Sequence, residues 1–210
     1  VLVGKEGWLF YKLKNEKEDS IADYQGTNQY SKEEMERFAS LLKQAENHLA
    51  KQGIQLILYM VPNKEQVYRE YMPSSVKVVN ERSKADLLYT YVKEHTDCSM
   101  YYPLEEFLEA KTSWHQIYRK YDTHWNDLGA FLASQMIMAK IDGEEFGPWS
   151  YEGIKVEDHG TFSGDLATML NLQKYYDDDP FLKPGGYKEE VMVELDYQNE
   201  RETVTHYRSS

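Results

Sequence analysis

Disulfides are out of reach for this chain. Its single cysteine, Cys98, has no partner, which excludes a small cross-linked scaffold and leaves the redox compartment open. Basic charge is scarce: 24 Lys and Arg face 36 Asp and Glu, for a formal net charge of −12. With no basic run either, the composition argues against a nucleic-acid partner, which needs a cationic face for phosphates. No apolar stretch approaches the roughly 18 residues of a membrane span. The longest, IQLILYMV at Ile54–Val61, has the length of a strand. No leader peptide is visible, and the chain opens on VLVGKEGWLF, in mid-pattern and without methionine. That opening is read as part of a longer protein whose upstream sequence carries any export signal or anchor.

What is present is apolar and aromatic. Hydrophobic residues make up 41% of 210 and aromatics 14%, including 18 tyrosines, too rich for disorder and suited to surfaces that are both wet and sticky. A chain of this length buries about 70% of its unfolded surface in one core, so residues 1–210 are read as a single domain continuing past both ends. GKEGWLFY reads as a tight turn followed by a strand, with Trp8 as a core anchor. Ser31 and Glu34 have capping-box spacing, and Met35, Phe38, Leu41, Leu42, Ala45 and Leu49 recur at helical intervals until Gly53. Ile54–Val61, ended by Pro62, reads as a strand buried on both faces of a parallel sheet. The pattern then repeats. ERSKADLLYTYVKEHT is helical, SMYYPL a strand, and PLEEFLEAK a helix from Pro103. A further helix spans Asp127–Ile141, capped by Asn126 or Asp127, and a short one lies near Leu166–Leu170. The end alternates like a β-hairpin around Gln198-Asn199-Glu200. Alternating strands and helices predict an α/β fold.

One stretch carries chemistry: YDTHWNDLGA, from Tyr121. Asp122 and His124 lie two apart, so in an extended segment both leave the backbone on one side. A carboxylate there can fix the imidazole tautomer for acyl transfer, or both side chains can ligate a metal. The alternative is that Asp122 and Asn126 organise a turn while His124 packs under Trp125.

Four segments in order, VGKEGWLFY from Val3, VPNKEQVYREYMP from Val61, YDTHWNDLGA, and GTFSGDLATML from Gly160, resemble the alginate O-acetyltransferase group (AlgX- and AlgJ-like proteins) and the related bacterial DHHW proteins. The resemblance implies a three-layer, flavodoxin-like SGNH-hydrolase fold with a mostly parallel sheet. It also implies that Asp122 and His124 are acid and base of a Ser-His-Asp triad. None of the serines after DTHW stands in the family's serine setting; Ser163 in FSGD reads as a cap for the short helix that follows. The nucleophile is therefore expected beyond residue 210. The activity implied is O-acetyl transfer to, or acetyl-ester hydrolysis on, a cell-envelope or exported polysaccharide. It implies an extracytoplasmic location, an acetyl donor supplied by a membrane-bound protein, and no cofactor or metal.

Other candidates are weaker. Asn63 and Lys64 follow the buried strand, where open α/β sheets place ligand sites, and either orient a sugar or form a solvated loop. Tyr68 and Tyr71 stack on a pyranose or pack. Trp125 and His115 are candidate walls of the site, His115 beside Trp114. Asp158 and His159 fit turn chemistry, Asp177–Asp179 a solvated turn, and His48 and His95 helix surfaces. Three functions compete: a serine-dependent acetyltransferase or esterase, a catalytically incompetent module that binds a glycan or an export-complex partner, and, third, a metal-assisted hydrolase.

Overall fold

The computed structural model describes residues 1–13, 19–141, 154–185, 191–198 and 203–209. The chain enters through β1 (Leu2–Val3) and β2 (Leu9–Phe10), paired antiparallel across a 3-10 turn in which Glu6 and Gly7 take positive φ. The turn drives Trp8, Leu9 and Phe10 into the interior. Next comes α1 (Ser20–Gln25), capped by Asp19 accepting from Ile21 N at 3.0 Å.

Helix α2 (Lys32–Ala50) starts on the expected capping box. Ser31 Oγ accepts from Glu34 N at 3.2 Å and Glu34 Oε2 from Ser31 N at 2.8 Å, and Gly53 follows the end with φ +72°. Its apolar stripe is narrower than the spacing implied. Met35, Phe38 and Leu42 face the core, whereas Leu41 is 54% exposed.

The expected eight-residue buried strand is the main difference. Only β3 (Leu58–Tyr59) is laddered, and Ile54 and Val61 are 49% and 41% exposed. Helices α3 (Lys64–Val67) and α4 (Lys84–His95) lead on to β4 (Met100–Tyr101), the parallel partner of β3. Pro62 and Pro103 follow close behind both strands, and proline has no N–H to extend a ladder. Short as it is, the pair divides two apolar layers. Leu58 points into a cluster with Phe38, Leu88, Val92 and Met100, and its neighbour Tyr59 into one with Phe107, Leu128, Leu132 and Met136, the alternation a strand requires.

Helix α5 (Leu104–Ser113) starts after Pro103, and α6 (Asp127–Ile141) on Asn126, whose Oδ1 accepts from Leu128 N and Gly129 N at 3.1 and 3.0 Å. Beyond it, β5 (Lys155–Phe162), α7 (Asp165–Met169) and β6 (Asp179–Gly185) follow, with β5 and β6 antiparallel around a register shift. There Asp158 Oδ1 accepts from Gly160 N at 2.9 Å, and Gly160 has φ +97°. The C-terminal hairpin pairs β7 (Val191–Gln198) with β8 (Thr203–Ser209), Gln198 opposite Thr203; its turn lies outside the described residues. The fold is α/β, and among the described residues the parallel pairing is confined to β3 and β4 while three strand pairs are antiparallel. Among these residues no helix is long and apolar enough to cross a membrane.

The acidic run is a solvated turn only in part: Asp177 and Asp178 are exposed, but Asp179 is not. Asp179 is fully buried, accepting from Gln116 Nε2 at 2.7 Å and Lys120 N at 2.8 Å, and Asp178 accepts from the Tyr121 hydroxyl. These bonds brace one side of the loop bearing Asp122, and α7 braces the other. Gly164, which precedes α7, lies so close that an added Cβ would stand 2.2 Å from Tyr121 O and 2.7 Å from Asp122 Cβ. Gly164→Ala is expected to destabilise the protein by about 1–3 kcal/mol through overpacking, read as a lowered urea midpoint; a midpoint equal to wild type contradicts this contact.

Candidate active site

Residues 117–126 fold back on themselves. Tyr118 and Trp125 form an antiparallel bridge, Arg119 N donates to His124 O at 3.2 Å, and Asn126 N donates to Ile117 O at 3.0 Å. The tip carries Asp122 and His124. They meet through a turn rather than an extended segment: Asp122 Oδ1 accepts from His124 N at 2.9 Å and from His124 Nδ1 at 2.6 Å. This is the local bond that aspartate makes two residues onward.

The other carboxylate oxygen, Oδ2, accepts from Asp165 N at 2.8 Å. The first amide of α7 is thus satisfied by Asp122. Ser163 is not the cap; Gly164 occupies that position without a side-chain bond. Tyr121 O takes the next two donors, Leu166 N and Ala167 N, at 3.1 and 3.3 Å. Burial of Asp122, 6% exposed, favours the neutral acid, but the amides of Asp165 and His124 together with the imidazole outweigh it and hold the carboxyl below its ordinary range. An ionised carboxylate only accepts. In the neutral ring of His124, Nδ1 therefore carries the proton and Nε2 the lone pair, on a side chain that is 74% exposed.

Asp165 completes the cluster. It accepts from Thr123 N at 2.8 Å and from Thr123 Oγ1 at 2.6 Å, and its Oδ2 lies 3.9 Å from His124 Nδ1. Asp122, His124 and Asp165 can each offer one ligand atom, all within 4.8 Å of one another. Nδ1 is already engaged by Asp122 at 2.6 Å, so a cation taking that nitrogen would have to part this bond.

A cleft of about 430 Å³ opens beside His124, lined in part by Asn63, Lys64, Trp125, Ser20 and Glu65. The structure thus brings four of the expected residues to one place: Asn63, Lys64, His124 and Trp125. Tyr68 does not join them. It is buried with its ring 4.4 Å from that of Trp8, and its hydroxyl accepts from Ile117 N at 3.0 Å. His115 is exposed beside Trp114 and is not among the lining residues.

Lys64 is no solvated loop residue. It is 3% exposed, and Nζ donates to the backbone carbonyls of Leu9, Lys120 and Asp122 at 2.7, 2.9 and 2.9 Å. Burial pushes it down to about 7, against the pull of Glu65, Asp179, Asp122 and Asp165. Glu65 beside it is raised by burial, with Ser20 Oγ donating to Oε1 at 2.9 Å. Sequence reasoning missed Asp165, Ser20 and Glu65. Asp165 had a signal, an acid opening a helix after Ser-Gly; Ser20 and Glu65 lie 45 residues apart with no local pattern to join them.

A depressed folded-state pKa means that Asp122 adds stability above the unfolded carboxylate pKa and loses it as pH falls through the folded value. The stability gap between wild type and Asp122→Asn is therefore expected to be full above about pH 4 and to close below it, measured by urea unfolding across pH. A gap that widens toward acid contradicts the assignment.

The family described as SGNH hydrolase-like domain, acetyltransferase AlgX, matches residues 1–182. The protein named probable alginate O-acetylase AlgJ from Pseudomonas syringae pv. tomato is 28% identical over 187 residues, covering 84% of this chain and 42% of that one. Its namesake from Pseudomonas putida is 24% identical over 183 residues, covering 84% and 43%. The chain thus spans less than half the length of these relatives. Among solved structures, the O-acetyltransferase domain of Pseudomonas putida AlgJ superposes with a TM-score of 0.54 at 18% identity, covering 91% of this chain and 66% of that one, which shows a shared fold. With the family matching nearly the whole described chain, Asp122–His124 loop included, the protein belongs to the AlgX family of SGNH hydrolase-like acetyltransferase domains.

Proposed function

We propose that the protein is a serine-dependent O-acetyltransferase or acetylesterase acting on a cell-envelope or exported polysaccharide, with His124 as base and Asp122 as its orienting acid. The observation that carries this reading is an imidazole held by an ionised carboxylate with Nε2 open beside a cleft. The names of the relatives support the chemistry. The reading calls for a serine nucleophile to pair with His124.

Nε2 takes the serine proton as Oγ attacks the acetyl carbonyl; the imidazolium then returns the proton to the leaving group, and acetyl-serine remains. In the second half-reaction Nε2 deprotonates a sugar hydroxyl, whose oxygen attacks the acetyl-serine and leaves as the acetyl ester, with the proton restored to serine. Water in place of the sugar gives hydrolysis. Asp122 stabilises the imidazolium throughout, and Asn63 and Trp125 frame the acceptor. The acetyl donor arrives from a membrane-bound partner on the extracytoplasmic side, and the protein supplies no cofactor of its own.

The rival reading, a glycan-binding or export-complex module, draws on one observation. Among the described residues no serine hydroxyl bonds to His124, and the hydroxyl of Ser20, in the cleft, is committed to Glu65. Hydrolysis of p-nitrophenyl acetate by the full-length gene product separates the two. Catalysis is expected, and His124→Ala should lower kcat/KM about a thousandfold or more, leaving a residue of activity from binding groups. No turnover, or turnover indifferent to His124, would favour the binding module.

A further inference from the structure

Nδ1 of His124 stands among oxygens of three side chains. Asp122 Oδ1 lies at 2.6 Å, Thr123 Oγ1 at 3.1 Å and Asp165 Oδ2 at 3.9 Å. The last is beyond hydrogen-bond reach, so Asp165 meets the ring only through its neighbours. The threonine hydroxyl can act either way, with one proton to give and two lone pairs to receive with. If it gave that proton to Nδ1, the other tautomer would gain a partner and Nε2 would carry the hydrogen. A ring protonated in that way has no lone pair at Nε2 and is no base there.

Asp165 decides which way the hydroxyl faces. Thr123 Oγ1 donates to Asp165 Oδ2 at 2.6 Å, and Thr123 N donates to the other oxygen, Oδ1, at 2.8 Å. A carboxylate only accepts, so the hydroxyl proton is taken and only lone pairs remain toward Nδ1. The 2.6 Å bond is of the length expected where the acceptor is charged. The Asp165 main chain gives a separate support, its N donating to Asp122 Oδ2 at 2.8 Å. A change confined to the Asp165 side chain leaves that bond in place.

We infer that Asp165 is a positioning residue for the base: by taking the Thr123 hydroxyl proton it leaves Nδ1 of His124 facing acceptors, which reserves the Nε2 lone pair for the incoming hydroxyl. This rests on His124 acting as the base. Asp122 supports the same tautomer through one bond, but the imidazole is 74% exposed, and a hydroxyl free to donate at 3.1 Å offers the rival form a partner. Asp165→Asn creates that rival. Thr123 N keeps the amide oxygen toward the main chain, because two donors cannot face each other. The amide NH2 then donates to Thr123 Oγ1 and frees the hydroxyl proton for Nδ1.

The test is a double-variant cycle on the full-length gene product: Asp165→Asn, Thr123→Val and the two together. The readout is kcat/KM for p-nitrophenyl acetate at a pH where the imidazole is neutral. Asp165→Asn is expected to lower kcat/KM about tenfold beside the native threonine. In the Thr123→Val background, where no hydroxyl competes, the loss should stay under about twofold. Asp165→Ala, which also frees the hydroxyl, serves as a second variant, with thermal unfolding to check the fold of each. A loss equal in both backgrounds, as a merely structural Asp165 would give, overturns the inference, and so does no loss in either. The tautomer itself is read from the nitrogen NMR shifts of isotopically labelled histidine, His124 being assigned by its absence in His124→Ala. The neutral ring should carry its proton on Nδ1 in the wild type and shift toward Nε2 in Asp165→Asn. A wild-type ring protonated on Nε2, or a tautomer unmoved by the substitution, overturns the inference too. If no ester is turned over, His124 fails as a base while the ring nitrogens still decide the role of Asp165.

Discussion

One ammonium group holds the site together. Lys64 Nζ joins the carbonyls of Leu9, Lys120 and Asp122, so the N-terminal strand, the loop of Asp122 and His124 and the first turn of α3 are tied at a single point. It also lies 5.1 Å from the Trp8 ring and 5.2 Å from that of Phe10. Three carbonyls require three N–H donors, which only the charged form of lysine has. That cation is buried, and the acids gathered near it, Glu65, Asp179, Asp122 and Asp165, offset part of the desolvation. The acidity of the region is thus partly structural.

The pair at the tip is built on that clamp and needs two further supports. Asp179 receives the Lys120 amide on one side, and the α7 amide of Asp165 reaches Asp122 on the other. Both oxygens of Asp122 are engaged, one of them by Nδ1 of the imidazole, and His124 lines the cleft. Preorganisation of this kind is what a base needs, because a misplaced ring loses rate without losing the fold.

Legibility in the sequence followed the distance over which each interaction acts. The capping box at Ser31 and the Asn126 cap of α6 span three residues each and were readable. So was the contact of Asp122 with His124, two residues apart, and the turn that makes it was the alternative reading of the same stretch. What escaped is long-range. Lys64 looked like a loop residue because its partners lie 55 to 58 positions away, and Asp179 looked solvated because Gln116 and Lys120 are about as distant. The strand at Ile54–Val61 failed differently: hydrophobicity marked it as buried, but a ladder needs a partner of equal length, and β4 has two residues.

The most direct measurement is covalent labelling of the full-length gene product with a sulfonyl fluoride, the modified residue located by peptide mass spectrometry. The account predicts a single serine beyond residue 210, labelled quickly in the wild type and hardly at all after His124→Ala. Labelling that ignores His124, or a protein whose serines are all inert, would contradict it.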